Sequence, residues 1–397
     1  MLKYIKTSLI SLLLVPSAKG DGMEIDMRRI VSVFLVVLCL LTFVGCTKTK
    51  VVEASGTVSR DVKFNSATVS LSPEEFEKAG FSLGDSCDIV FENGYSIADV
   101  PFYNGYYVKN NAPVIVAYPG FSNIIITYNN RGIWDDAELT ENDTVTIRLK
   151  EANKYSSVQE ALGQVYSFEY SDYDGTEEFC NFRALSGGEL KEDFLFRGAS
   201  PVDNSRNRAA YTDQLLKERS ISYVIDLADS EENMQGYLSE EDYSSPYTAG
   251  LYENGQIALL DMSSSYQSEE YQQKVAIGMK AMLHASGPVY IHCLEGKDRT
   301  GFVCLLLEAL SGASYEEMRD DYMKTYENYY AVSSTETPEK YDAIVKLYFD
   351  PFVSYLHGTD HIEELKNADY VQDAMHYLIT GGMTRVEVDQ LRKFITK

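Results

Sequence analysis

One segment constrains the chain more than any other. Gly287-Pro-Val-Tyr-Ile-His292 reads as a buried strand. Thr300–Leu310, carrying Phe302, Val303, Leu305, Leu306 and Leu307, reads as an apolar helix, and only Cys293 to Arg299 join the two. A strand running through so tight a loop into a helix gathers backbone N–H groups around one point at the positive end of the helix dipole, which is an anion cradle. Leu294, Glu295, Gly296, Lys297, Asp298 and Thr300 form its wall, and Gly296 permits the sharp turn. Cys293 opens the loop, where that field lowers a thiol pKa and populates the thiolate. Arg299 closes it with a planar fork suited to two phosphate oxygens. Thr300 is placed to hydrogen-bond the sulfur, and the ring of His292 to hydrogen-bond the loop backbone. A buried cysteine that happens to precede a surface arginine is the plain alternative. It does not account for the strand, the glycine and the Thr-Gly helix entry around the pair. A nucleotide-binding loop of the Gly-x4-Gly-Lys-Ser/Thr type is excluded, because Lys297 is followed by Asp.

The segment His292-Cys-Leu-Glu-Gly-Lys-Asp-Arg-Thr-Gly301 resembles the phosphate loop of the cysteine-dependent protein tyrosine and dual-specificity phosphatases. It is most similar to the bacterial tyrosine phosphatase family, with loop His-Cys-x-x-Gly-Lys-Asp-Arg-Thr-Gly. The likeness extends over about 180–397. Asn181-Phe-Arg-Ala-Leu-Ser-Gly-Gly188 is similar to that family's Asn-Phe-Arg-Asp-Leu-Gly-Gly opening, and Leu195-Phe-Arg-Gly-Ala199 to its Phe-Arg-Ser-Ala. Val224-Ile-Asp-Leu227 is similar to its Ile-Asp-Leu-Arg strand, and Asp320-Asp-Tyr322 to its Asp-Tyr. Ala184 and Ala228 depart from the pattern, so contacts made there in relatives are not carried over. The resemblance implies an α/β fold, a central sheet flanked by helices. It further implies phosphomonoester hydrolysis with Cys293 as nucleophile and Arg299 as phosphate ligand, and no cofactor or metal.

Cleavage of a phosphomonoester needs a proton for the leaving oxygen, normally from an Asp on another loop. Asp261, after the apolar Ile257-Ala-Leu-Leu260, precedes Cys293 by the separation usual in dual-specificity phosphatases, and is the first choice. Asp226 or Asp229, at the end of the strand Tyr223–Leu227, is the alternative acid, in a place where relatives carry a functional one. Asp298 is a third candidate inside the loop. For each, a solvated surface carboxylate is the plain reading in so acidic a chain.

That acidity bears on partners. The chain has 397 residues and a formal charge of -25. Such a field repels nucleic acid, and no nucleic-acid partner is expected. Candidate substrates are phosphorylated proteins, phosphoinositides and inositol phosphates. Lys297 is expected to add a second positive charge at the loop mouth, favouring multiply phosphorylated substrates or lipid headgroups. An inositol-phosphate (phytase-like) phosphatase and a phosphate-binding module without turnover are the rival readings.

Met27-Arg-Arg29, the apolar run Ile30–Val44 and Gly45-Cys46 describe a secretory signal. Phe43-Val-Gly-Cys46 resembles a bacterial lipobox, which makes Cys46 a lipidation site and the protein an extracytoplasmic lipoprotein. A single membrane anchor is the alternative, for which the run is short. Cys304 reads as core, and a Cys87–Cys180 bridge is left open.

Residues 1–46 are thus expected to be signal and lipobox, and 47–67 a linker. Residues 68–150 should form a small all-β, barrel-like module, 151–179 a connector, and 180–397 the α/β domain. In the module, strands are expected at Asp88–Phe91, Tyr106–Lys109, Pro113–Tyr118, Asn123–Tyr128 and Thr144–Leu149. Gly120-Phe-Ser-Asn-Ile-Ile125, Asn130-Arg-Gly132 and Asn142-Asp-Thr-Val145 are similar to the C-terminal β-barrel of the S-adenosyl-L-methionine hydroxide adenosyltransferase family. That family's other domain has no counterpart here, so its activity is not implied.

Overall fold

The structure is a computed structural model that describes residues 51–163 and 165–397. The segment expected to be a signal, with Cys46, lies outside the described residues. Among those described, no helix is long and apolar enough to cross a membrane.

The N-terminal part is a closed barrel of seven strands. They are β1 (Glu53–Asp61), β2 (Ser66–Val69), β3 (Ser86–Phe91), β4 (Ser96–Tyr103), β5 (Pro113–Val116), β6 (Ile125–Tyr128) and β7 (Thr144–Glu151), in the order β1-β2-β6-β5-β4-β3-β7. Every pairing is antiparallel except β4 with β5. Closure removes the exposed edges that an open sheet leaves. Alternate residues, among them Val58, Val69, Ile89, Ile126 and Ile147, fill the interior, and Phe76 stacks on Phe81 with ring centroids 4.0 Å apart.

The structure corrects the sequence reading at two places in this barrel. Residues 51–67, read as a lead-in, supply β1 and the start of β2. The inward positions of β1 are Ala54, Gly56 and Val58, too small to read as an apolar stripe. They are small for a reason, since a Cβ on Gly56 would lie 2.9 Å from Val69 Cγ1. Tyr106–Lys109, expected as a strand, is irregular chain.

The C-terminal part is a five-stranded sheet in the order β11-β10-β12-β9-β8. Its strands are β8 (Arg183–Ala184), β9 (Leu195–Gly198), β10 (Tyr223–Asp226), β11 (Ile257–Leu259) and β12 (Val289–His292). β9 to β12 run parallel, with β8 antiparallel at the edge, and helices cover the sheet. The helix Asp298–Ser311 lies in the middle of the fold, and twelve of its residues, from Thr300 to Ser311, are buried. Each fully buried Leu or Phe there stabilises the fold by roughly 1.5–3 kcal/mol. Cys304 is part of this core, and burial pushes its thiol up to about 12. Cys87 and Cys180 are both buried and free, so no bridge joins them.

Candidate active site

β12 is the middle strand, and its register puts His292 beside Asp226 of β10 on one side and Gly198 of β9 on the other. Cys293 to Lys297 therefore turn over the C-terminal edge of the parallel strands, where sheets of this kind receive ligands. The turn is possible because two glycines meet. Gly296 has φ +66°, and a Cβ on it would come 2.3 Å from the Gly198 carbonyl oxygen. A Cβ on Gly198 would in turn lie 2.5 Å from the Tyr290 hydroxyl.

The loop carbonyls face outward into the scaffold. The Leu294 carbonyl accepts from Ser200 N at 3.1 Å, and the Glu295 carbonyl from the Tyr329 hydroxyl at 2.9 Å. The Gly296 carbonyl accepts from Arg197 Nη2 at 2.9 Å and Asn181 Nδ2 at 3.2 Å. The Cys293 carbonyl lies 3.3 Å from His292 Nδ1. The amides of Leu294, Glu295, Gly296 and Lys297 have no acceptor among the described residues. Peptide planes with every oxygen turned out must turn their N–H groups in. That leaves an inward ring of donors at the N-terminus of a long helix. Behind the ring, Asp321 pairs with Arg183 at 2.7 Å and with the fully buried Arg197, fixing the two groups that hold the Gly296 carbonyl.

The sequence-derived site residues fall into three groups. Cys293 sits at the floor, 4% exposed. Thr300 is fully buried, and its hydroxyl has no partner among the described residues. Arg299 donates from Nη1 to the Met262 carbonyl at 3.0 Å, and its own carbonyl accepts from Tyr271. These three belong to the cradle itself.

The second group is the charged loop residues. Lys297, expected to offer a free positive charge, instead has Glu295 and Asp298 each 3.7 Å away and the Tyr330 hydroxyl at 3.5 Å. Glu295 also pairs with Arg206 at 3.6 Å and accepts from the Tyr166 hydroxyl. Asp298 stays 58% exposed at the side chain, with its carboxyl pushed up by burial of its surroundings.

The third group is the acids, all at the C-terminal ends of β10 and β11. Asp261 N bonds the Asp229 carbonyl at 3.2 Å, so the two stretches run on side by side past the sheet. Asp261 is half exposed, and its carboxylate is paired with Lys63 Nζ at 3.0 Å. Asp226 and Asp229 are buried. Asp226 accepts from the amides of Ala228 at 2.8 Å and Asp229 at 3.0 Å, and His292 Nε2 lies 3.7 Å away. Burial pushes Asp226 up to about 6, against the lowering pull of those amides and of Arg299. Burial and the neighbouring Asp226 push Asp229 up to about 7. Burial likewise holds His292 down at about 4, so its ring is neutral at ordinary pH. Asp229 Oδ2 has no hydrogen-bond partner among the described residues, while the Tyr237 hydroxyl donates to Oδ1 at 3.3 Å.

Sequence reasoning missed the barrel's share of this site. Tyr118 feels the charges of Lys297 and Glu295, and Tyr106 that of Asp298. Their rings are 6.3 Å apart, and Tyr118 is 5.4 Å from the exposed Phe121, so an aromatic row runs from the surface to the loop. Tyr330, Tyr326 and Tyr348 form a second row, with centroids 5.6 and 6.1 Å apart. No local signal marks these residues, because they reach the loop only through the fold.

A largely parallel α/β sheet with a tight loop at the end of its middle strand is a setting suited to anion binding. The model of the tyrosine phosphatase family matches residues 175–397, more than half of the chain, and the chain belongs to that family. No curated protein matches it. Among solved structures, an uncharacterized conserved protein from Thermotoga maritima is 13% identical over 23% of this chain and 35% of its own, with a TM-score of 0.21. A likeness that slight says nothing of fold or function.

Proposed function

We propose that the chain hydrolyses phosphomonoesters through a cysteinyl-phosphate intermediate on Cys293, with aryl phosphates of the phosphotyrosine type as its substrates. The observation that carries this is the loop itself: four carbonyls bonded outward and a ring of unengaged amides around a buried cysteine and an arginine. In the first step the Cys293 thiolate attacks phosphorus and the bond to the leaving oxygen breaks. Arg299 and the amides carry the charge on the equatorial oxygens, and the acid gives its proton to the leaving oxygen. In the second step the same carboxylate takes a proton from water, the water oxygen bonds to phosphorus, and the thiolate departs.

The acid is assigned to Asp229. Its carboxyl is buried and raised to about 7, so it can give up a proton near neutrality, and it follows the strand that lies beside the loop-bearing β12. Asp261, favoured on spacing, is half exposed and its carboxylate is engaged by Lys63 at 3.0 Å.

Substrate class follows from the committed charges. Lys297, Lys63 and Arg206 are each paired with a carboxylate, which leaves Arg299 to take one phosphate. The two tyrosine rows offer flat apolar walls to an aromatic leaving group. Both features favour a phosphotyrosyl side chain over inositol polyphosphates or phosphoinositide headgroups. The test is a panel of phosphotyrosyl and phosphoseryl peptides, a phosphoinositide and inositol hexakisphosphate, with and without thiol alkylation. The phosphotyrosyl peptide should give the highest kcat/KM, and alkylation should abolish it. Higher kcat/KM on inositol hexakisphosphate would overturn the substrate assignment, and phosphate binding without any turnover would make the chain a binding module.

The N-terminal signal and Cys46 support an extracytoplasmic lipoprotein held at the membrane by its lipid. Fatty-acid labelling that is lost in Cys46→Ser tests this, and labelling that survives the substitution refutes it.

A further inference from the structure

We propose that Lys63, a residue of the barrel, is a positioning residue of the phosphatase site; the proposal rests on the reading of that site given above. Lys63 Nζ donates to the Ala228 carbonyl at 2.7 Å and to Asp261 Oδ1 at 3.0 Å. Ala228 is the residue between the strand-end Asp226–Leu227 and Asp229, and its own amide is held by Asp226. Asp261 precedes Met262, whose carbonyl receives Arg299. One ammonium group thus ties the stretch that carries the acid to the stretch that seats the phosphate-binding arginine.

The barrel presents Lys63 on a built turn rather than a loose one. Asp61 Oδ1 accepts from the amides of Lys63 at 3.0 Å and Phe64 at 3.1 Å. Asn65, at φ +54°, receives Ile133 N at 2.7 Å and Trp134 N at 2.9 Å on its carbonyl, and Arg60 Nη2 at 2.8 Å on its side chain. The receiving side is equally determined. Asp261 has φ +42°, in the left-handed region that few non-glycine residues enter, Asp and Asn more often than others. Lys63 grips its carboxylate and Lys274 Nζ its carbonyl, at 2.6 Å, so two lysines from different elements fix one residue.

A half-exposed ion pair adds little to stability on its own. Its effect here is geometric. Without Lys63 the Ala228 peptide loses a partner, and Asp229 is no longer held in line with the leaving oxygen. A misaligned acid matters most when the leaving group is poor.

The experiment uses the full chain and two substrates, p-nitrophenyl phosphate with a good leaving group and phenyl phosphate with a poor one. Lys63→Met should lower kcat/KM on phenyl phosphate about tenfold while changing that on p-nitrophenyl phosphate less than about threefold. Lys63→Arg should restore the wild-type ratio. Should the Met variant fail to fold, Lys63→Gln reads the same ratio with a donor kept and the charge removed. An unchanged ratio, an equal loss on both substrates, or no rescue by Arg overturns the proposal. If the wild type turns over neither substrate, the phosphatase reading fails instead.

Discussion

Asp226 and His292 stand side by side in parallel register at the ends of β10 and β12, with Oδ2 and Nε2 3.7 Å apart, and burial drives both toward their neutral forms. The pair is therefore no ordinary ion pair. His292 supplies no counter-charge to Asp226, and Asp226 in turn makes the neighbouring Asp229 hold its proton more tightly.

Activity should follow that proton. With Asp229 raised to about 7, kcat/KM on phenyl phosphate should fall as pH rises through neutrality. Asp229→Asn should lose about 100-fold in kcat/KM on the poor leaving group and flatten this alkaline limb. The check is a pH–rate profile of both forms. If Asp261→Asn removes the limb and Asp229→Asn does not, the acid is Asp261.

The same shift has a consequence for stability. Asp229 binds its proton more tightly folded than unfolded, so its contribution is full below about pH 4 and is lost as pH rises toward 7. His292, held down at about 4, works in the opposite sense between 4 and its ordinary value. The difference between Asp229→Asn and wild type isolates the first effect. At pH 8 the variant should be the more stable, by on the order of 2 kcal/mol, while at pH 4 the two should unfold together. Denaturant melts at both pH values decide it.

Gly296→Ala should destroy the cradle. The new methyl would meet the Gly198 carbonyl at 2.3 Å, on a residue whose φ is +66°. Overpacking and backbone strain together cost about 2–4 kcal/mol, with loss of turnover. Thermal unfolding alongside an aryl phosphate assay reads both, and an active, equally stable variant would refute the described loop geometry.

Asp321→Asn tests the bracing behind the loop. It leaves Arg183 and Arg197 buried without their counter-charge, and should destabilise the chain by about 3–5 kcal/mol. A change below about 1 kcal/mol in a urea melt would show that the loop is not held from this side.

The parts legible in the sequence were those whose residues lie close together along it. Cys293, Gly296, Arg299 and the flanking strand and helix form one contiguous motif, so the fold of the C-terminal part could be read before any coordinate. β1 escaped because its inward positions include Ala54 and Gly56, the latter kept small by packing against Val69. The choice among Asp226, Asp229 and Asp261 turned on burial and on Lys63, which is 198 residues from Asp261 in the chain. The pairing of Lys297 was hidden in a different way. Glu295 and Asp298 are its near neighbours in sequence, yet only the loop's curvature decides that their carboxylates turn toward it.

The central claim is that Cys293 bonds to phosphorus. Rapid quench of the full chain with p-nitrophenyl phosphate, followed by peptide mapping, tests it most directly. The account predicts a phosphoryl group on the Cys293 peptide of the wild type. It also predicts no turnover by Cys293→Ser, which should still bind inorganic phosphate. Sustained hydrolysis by Cys293→Ser, or a phosphoryl group mapped to another residue, would contradict it.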